Sequence, residues 1–98
     1  MIVVRGLNMF PTMVAAVVSG FAELTGDYRI VLDQPPPHDV LPVHVELASG
    51  IGRSAGLTEQ IERKFKNALG VTAKLTLLPK GSFEVTEGKT RRVLRRYQ

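Results

Sequence analysis

The residues best suited to chemistry lie at the two ends of the chain. Near the C-terminus, Glu87-Gly88-Lys89-Thr90-Arg91-Arg92-Val93 places a glycine beside a lysine at the entrance to a basic tail. A lysine ammonium on a long stem, delivered by a segment with glycine freedom, can meet an anion and neutralise charge that develops on it. Near the N-terminus, Arg5-Gly6-Leu7-Asn8-Met9-Phe10-Pro11 joins a β-branched run to an apolar helix-like stretch. There Gly6 and Asn8 suit a turn with positive φ, and a glycine also lets backbone approach a ligand closely.

The charge distribution singles out the C-terminal end. Residues 1–79 carry seven basic and seven acidic side chains, whereas residues 80–98 carry six basic and two acidic, an excess equal to the formal net charge of +4. An excess confined to one terminus points to an anionic partner such as phosphate, nucleic acid or an acidic protein surface. Its structural alternative is a solvated helix in which Arg91, Arg92, Arg95 and Arg96 face water while Val93, Leu94 and Tyr97 turn inward.

Composition excludes several function classes. The chain has 98 residues, enough for a single domain over 1–98 with its own core. It has no cysteine, so disulfides, thiolate metal sites and cysteine nucleophiles are out. The two histidines, His38 in a proline-rich loop and His44 on an apparent strand, read as solvent-facing residues, and no metal site is expected. The apolar run Met13–Val18 is far too short to span a bilayer, and no secretory leader is visible. A soluble, cytoplasmic protein without a membrane partner is the expectation. No paired carboxylates, serine–histidine arrangement or phosphate-cradling glycine loop appears, so the chain looks incomplete as an enzyme.

The elements that must position these two segments follow from periodicity. Ile2-Val3-Val4 reads as a strand. Pro11 suits a first helical turn, and Val14, Val17, Val18 and Phe21 recur at helical spacing, although the short apolar run Met13–Val18 would also serve as a strand. Tyr28–Asp33 is a strand, and Pro35-Pro36-Pro37 must be a connection. Val43, Val45 and Leu47 alternate with His44 and Glu46, while Pro42 requires an edge or an early strand position. Leu57, Ile61, Phe65, Ala68 and Leu69 trace a helical stripe that Gly70 ends, with Glu59–Arg63 and Glu62–Lys66 spaced as helical ion pairs. Val71, Ala73, Leu75 and Leu77 form the last alternating strand. The predicted architecture is α+β: a ferredoxin-like βαββαβ sandwich, a four-stranded antiparallel sheet with two helices on one face, followed by the basic tail.

Two stretches carry a resemblance. Arg5-Gly6-Leu7-Asn8-Met9-Phe10-Pro11 is similar to the Arg-Gly-Val-Asn-Val-Phe-Pro stretch opening the C-terminal domain of phenylacetate-CoA ligases. Glu87-Gly88-Lys89-Thr90-Arg91-Arg92-Val93 resembles that family's closing lysine motif, and Tyr28–Asp33 and Asn67–Val71 also match in kind and position. Ala15-Ala16 departs from the acidic residues common there. The resemblance covers essentially the whole chain. It implies the mobile C-terminal domain of an adenylate-forming acid–thiol ligase, with Met1 just after the interdomain hinge and the N-terminal ATP- and acid-binding domain as its partner. ATP, Mg2+ and CoA are then cofactors of the full-length enzyme, and an aryl carboxylic acid is its substrate. Lys89 corresponds to the catalytic lysine of the adenylation step, flanked by Gly88 and Arg92. Arg5, Gly6, Leu7 and Asn8 correspond to the loop beside the CoA thiol. The isolated domain is expected to be inactive. Adenylyl transfer, as in synthetases of the same family, stays open beside CoA ligation.

The alternative is a stand-alone ferredoxin-like binding module for nucleic acid or a regulatory small molecule. RNA-binding versions of this fold stack bases on sheet aromatics. The strand positions Ile2, Val3, Val4, Val43, His44 and Val45 offer none, so no specific nucleic-acid partner is expected.

Overall fold

A computed structural model of the chain describes residues 2–33, 35, 37–52, 55–81 and 93–95, with the side chains of 55 and 95 left aside. It begins with a tight hairpin: β1 (Ile2–Val4) pairs antiparallel with β2 (Leu7–Met9), with Ile2 opposite Met9, Val3 opposite Asn8 and Val4 opposite Leu7. The loop is only Arg5-Gly6, and both residues have positive φ, 48° and 83°. Two consecutive left-handed residues match the right-handed twist of the paired strands, which makes this a type I′ reversal.

Pro11 then opens α1 (Pro11–Val18), where the missing N–H of proline costs no hydrogen bond. The helix buries Val14, Val17 and Val18, so the helical reading of this apolar run holds. The Tyr28 hydroxyl donates to the Pro11 carbonyl at 2.6 Å and ties the helix start to β3 (Leu24–Leu32). β3 runs antiparallel to β4 (Leu41–Leu47), with a bulge between Leu24 and Tyr28 that contains Gly26 at φ 94°. α2 (Ala55–Leu69) carries the chain from β4 to β5 (Ala73–Leu78), and Gly70 ends it at φ 75°, donating its N–H to Lys66 O at 2.9 Å. Finally β6 (Val93–Arg95) lies parallel to β3.

The second sheet has four strands in the order β5-β4-β3-β6 and is mixed. This corrects the expected all-antiparallel sheet. Because α2 crosses over between β4 and β5, those neighbours run parallel, from Leu41 opposite Ala73 to Glu46 opposite Leu78. Among the described strands of this sheet, β3 and β4 alone pair antiparallel. The expected first strand is missing from this sheet, because the Arg5-Gly6 reversal returns the chain onto itself at once. Its link to the rest is a parallel bridge between Val4 and His38. The fourth place is filled from the tail: Val93 and Leu94, which the structural alternative for the tail put on a helix, use the free edge of β3, a common use of β-branched and apolar residues. Pro42, the second residue of β4, is on an interior strand rather than an edge. It lies beyond the last β3–β4 pair, Ile30 opposite Val43, where a missing N–H is tolerated.

Both helices pack against the sheet and against each other, α1 on β3 and α2 on β5. Between them lie Val14, Val18, Ile30, Val43, Val45, Ile61 and Phe65, all fully buried. Glu62, spaced to pair with Lys66, accepts the Leu75 backbone N–H at 3.2 Å, so α2 is also pinned to β5 by a polar contact. Phe65 is the largest of the fully buried side chains. Its replacement by alanine is expected to destabilise the domain by about 3–5 kcal/mol, from lost burial plus an unfilled cavity. Urea denaturation measures it.

Candidate functional site

The hairpin projects its tip while burying its base. Ile2, Val4 and Met9 face the core, whereas Val3, Arg5, Gly6, Leu7, Asn8 and Phe10 are exposed. Arg5 N–H donates to the His38 carbonyl at 3.0 Å, so the strand bridge at Val4 continues into a hydrogen bond at the first loop residue. His38 is itself buried, 7% exposed, in contrast to the solvent-facing position expected for it; its backbone is the ledge on which the hairpin rests. His44, the other histidine, is half-buried on β4.

Arg5, Gly6, Leu7 and Asn8, predicted as one loop, are brought together on the surface. Their conformations differ from the expected turn. Asn8 is a strand residue opposite Val3, and Arg5 takes the positive φ that Asn8 was expected to supply. A non-glycine residue at positive φ is uncommon. Here the strand pairing on one side and the His38 hydrogen bond on the other hold it. At Gly6, a Cβ would find nothing within 4 Å, so the tip is open above its backbone. Leu7 leans toward the end of α2, its Cδ1 3.8 Å from where a Gly70 Cβ would lie.

Gly88, Lys89 and Arg92 lie outside the described residues. The described chain holds both ends of the segment that carries them. Upstream, the Gly81 N–H donates to Glu46 Oε2 at 2.9 Å. Downstream, Val93 pairs with Ile30 on β3. Sequence reading assigned Glu46 to the polar face of its strand and offered no sign of this contact, which joins residues 35 positions apart.

A shallow hollow of about 320 Å³ lies between Phe21 and the α2 residues Gln60, Arg63, Lys64 and Asn67, and it contains none of the predicted site residues. Among the described residues no group of three or more His, Cys, Asp or Glu could hold a metal ion. No helix among them is long and apolar enough to cross a membrane.

The sequence pattern of the AMP-binding enzyme C-terminal domain family matches residues 6–96. The chain belongs to this family. Phenylacetate-coenzyme A ligase of Thermus thermophilus is 36% identical, the match covering 96% of this chain and 25% of that protein. The Aromatoleum evansii phenylacetate-coenzyme A ligase is 31% identical, over 98% of this chain and 23% of its own. The chain therefore spans about a quarter of the length of the curated relatives it matches. Among solved structures, a domain of phenylacetate-coenzyme A ligase from Bacteroides vulgatus superposes with a TM-score of 0.79 at 32% identity, covering 97% of this chain and 91% of that one. A 2-hydroxyisobutyryl-CoA ligase in its postadenylation state superposes with a TM-score of 0.85 at 28% identity, over 97% of this chain and 21% of the ligase. The same ligase with 2-HIB-AMP and CoA in its thioesterification state gives 0.77, over 94% of this chain and 20% of its own. This chain thus corresponds to the C-terminal domain of AMP-forming CoA ligases.

Proposed function

We propose that this domain serves both half-reactions of a two-domain, AMP-forming acid–CoA ligase, with an N-terminal adenylate-forming domain as its partner and an aryl carboxylic acid, phenylacetate by family, as substrate. The observation that carries the reading is the hairpin tip: an ordered, exposed I′ loop whose Gly6 backbone is unobstructed, in a chain that matches the ligase family from residue 6 to residue 96. The relative solved both after adenylation and, with CoA, in the thioesterification state supports a role for this domain in each step.

In the first half-reaction the carboxylate attacks the α-phosphorus of ATP and pyrophosphate leaves. Lys89 places its ammonium between carboxylate and phosphate, where negative charge meets negative charge, and so lowers the barrier electrostatically. Gly88 and Arg92 border it. In the second half-reaction the thiol of CoA attacks the acyl carbon, its proton is lost and AMP leaves. Arg5, Gly6, Leu7 and Asn8 then line the approach of the pantetheine arm, with Gly6 leaving room for it. Rotation of the domain exchanges the two segments at one site. ATP and Mg2+ would be held by the N-terminal domain.

Pyrophosphate release and CoA-thioester formation, followed separately in the two-domain ligase with a panel of aryl acids, test this. Acid-dependent release of pyrophosphate and thioester product are expected from the two-domain protein, and neither from the 98-residue domain alone. Acyl-CoA made by the 98-residue domain alone, or no acid-dependent adenylation by the two-domain protein, overturns the proposal. A stand-alone nucleic-acid or regulatory module has no comparable support, because the residues matched belong to a ligase domain.

A further inference from the structure

Tyr28 is a buried tyrosine whose hydroxyl reaches out of its own sheet. It lies on β3 opposite Val45 and is 3% exposed. Its backbone is held on both sides by its neighbours. The Tyr28 N–H donates to Asp27 Oδ1 at 3.1 Å, its carbonyl accepts from Arg29 Nη1 at 2.7 Å, and the same Arg29 nitrogen meets Asp27 Oδ1 at 2.7 Å. From that base the hydroxyl donates to the Pro11 carbonyl at 2.6 Å, 17 positions back in the chain. Any acceptor would satisfy a buried phenol. The one used here belongs to the first residue of α1, two steps beyond Met9, where β2 ends.

We propose that Tyr28 is a positioning residue for the Arg5–Asn8 loop in the CoA step, a role that rests on the function proposed above. Two strands of three residues make a hairpin that is marginally stable by itself, so the place of its tip depends on what its strands are attached to. β1 is attached through the bridge from Val4 to His38 and through the Arg5 N–H, bonded to the His38 carbonyl at 3.0 Å. β2 runs into the helix start. There the Phe10 carbonyl accepts the Met13 N–H at 2.9 Å, and the Phe10 N–H donates to Met13 Sδ at 3.4 Å. These bonds join Phe10 to the first turn of α1, and the Tyr28 hydroxyl fixes that turn to the sheet. Two residue steps span at most about 7 Å, so Met9 must follow a shift of Pro11. Met9 pairs with Ile2, which passes the shift to both strands and on to Gly6, whose backbone is open at the tip. Placement matters steeply, since an error near 1 Å at a reacting centre can cost on the order of 100-fold in rate. Weakening one anchor raises the share of molecules with a displaced hairpin, and a ligand that needs the seated form then binds more weakly in proportion to the share left.

The test uses the two-domain ligase and Tyr28→Phe, which removes the hydroxyl and keeps the ring in the core. Amide hydrogen exchange across Ile2–Met9 is expected to quicken about threefold to tenfold, the range that one net hydrogen bond covers, with α2 unchanged. In conversion of supplied acyl-adenylate, KM for CoA should rise about threefold, with kcat within about twofold because saturating CoA restores the seated hairpin. Pyrophosphate release in adenylation should stay within about twofold of the parent. Ser19→Ala is the control. It deletes a hydroxyl bond at the other end of the same helix, Ser19 Oγ to the Ala16 carbonyl at 3.2 Å, and should leave hairpin exchange and both half-reactions at parent values. Unchanged hairpin exchange in Tyr28→Phe, equal loss of both half-reactions, or the same rise in KM from Ser19→Ala overturns the inference. Gly6→Asn in parallel separates the two claims. If Gly6→Asn slows the CoA step while Tyr28→Phe leaves it unchanged, the positioning role is overturned and the proposed function stands. If neither variant affects that step, the role of the loop in it fails, and the positioning role fails with it.

Discussion

Lys89→Ala in the two-domain ligase is expected to slow acyl-adenylate formation by roughly two to three orders of magnitude, the usual cost of losing one preorganised charge-stabilising group. Conversion of supplied acyl-adenylate to thioester should be nearly unchanged. The asymmetry follows from where charge appears. A carboxylate approaching a triphosphate brings two anions together, and an ammonium between them is worth most at that moment. A neutral thiol ester forming from an acyl-adenylate makes no such demand at the same point. Lys89→Arg should restore little, since the planar, longer guanidinium cannot occupy the position of a compact ammonium. Pyrophosphate release and thioester formation, each under single-turnover conditions, give the two rates. Equal loss of both steps would show general misfolding and sink the assignment of Lys89 to adenylation.

A bulky residue at Gly6 is expected to produce the reverse pattern, a fall of about tenfold or more in thioester formation with adenylation intact. Two effects must be separated, because Gly6 has φ 83° and open space above it. A β-branched valine would be strained by that φ even though it meets no neighbour within the domain. Asparagine tolerates the left-handed region and is common in I′ turns, so Gly6→Asn should leave the melting temperature nearly unchanged. If the role is access for the pantetheine arm, Gly6→Asn still slows the CoA step, in proportion to side-chain bulk, with an increase in KM for CoA. Should Gly6→Asn act normally in both steps while Gly6→Val loses stability and both activities, the glycine is there for the turn alone.

These predictions draw on two different levels of the molecule. The helices were legible from the chain alone, because burial follows the 3.6-residue stripe: Val14, Val17 and Val18 on α1, and Leu57, Ile61 and Phe65 on α2, are buried as their spacing requires. Strand β4 was equally legible through Val43, Val45 and Leu47, and Gly70 through its place at a helix end. The motifs at residues 5–11 and 87–93 also identified the family without any coordinates, since they depend on residue type and order.

What tertiary structure decided is pairing. Period-2 alternation marks a strand but carries no information about its neighbour or direction. For that reason Ile2–Val4 was legible as a strand, whereas its closure onto Leu7–Met9, instead of insertion into the larger sheet, depended on Arg5 accepting φ 48° beside Gly6. An arginine gives no local sign of that, because the energy that holds it comes from the paired strands and the His38 carbonyl. Val93 and Leu94 likewise fit a helix face or a strand equally well, and only the unfilled edge of β3 selects the strand. Glu46 shows the limit most directly: by sequence it is one more polar residue on an alternating strand. Its burial and its bond to Gly81, 35 residues away, exist only once the β4–α2–β5 crossover has folded the two segments side by side.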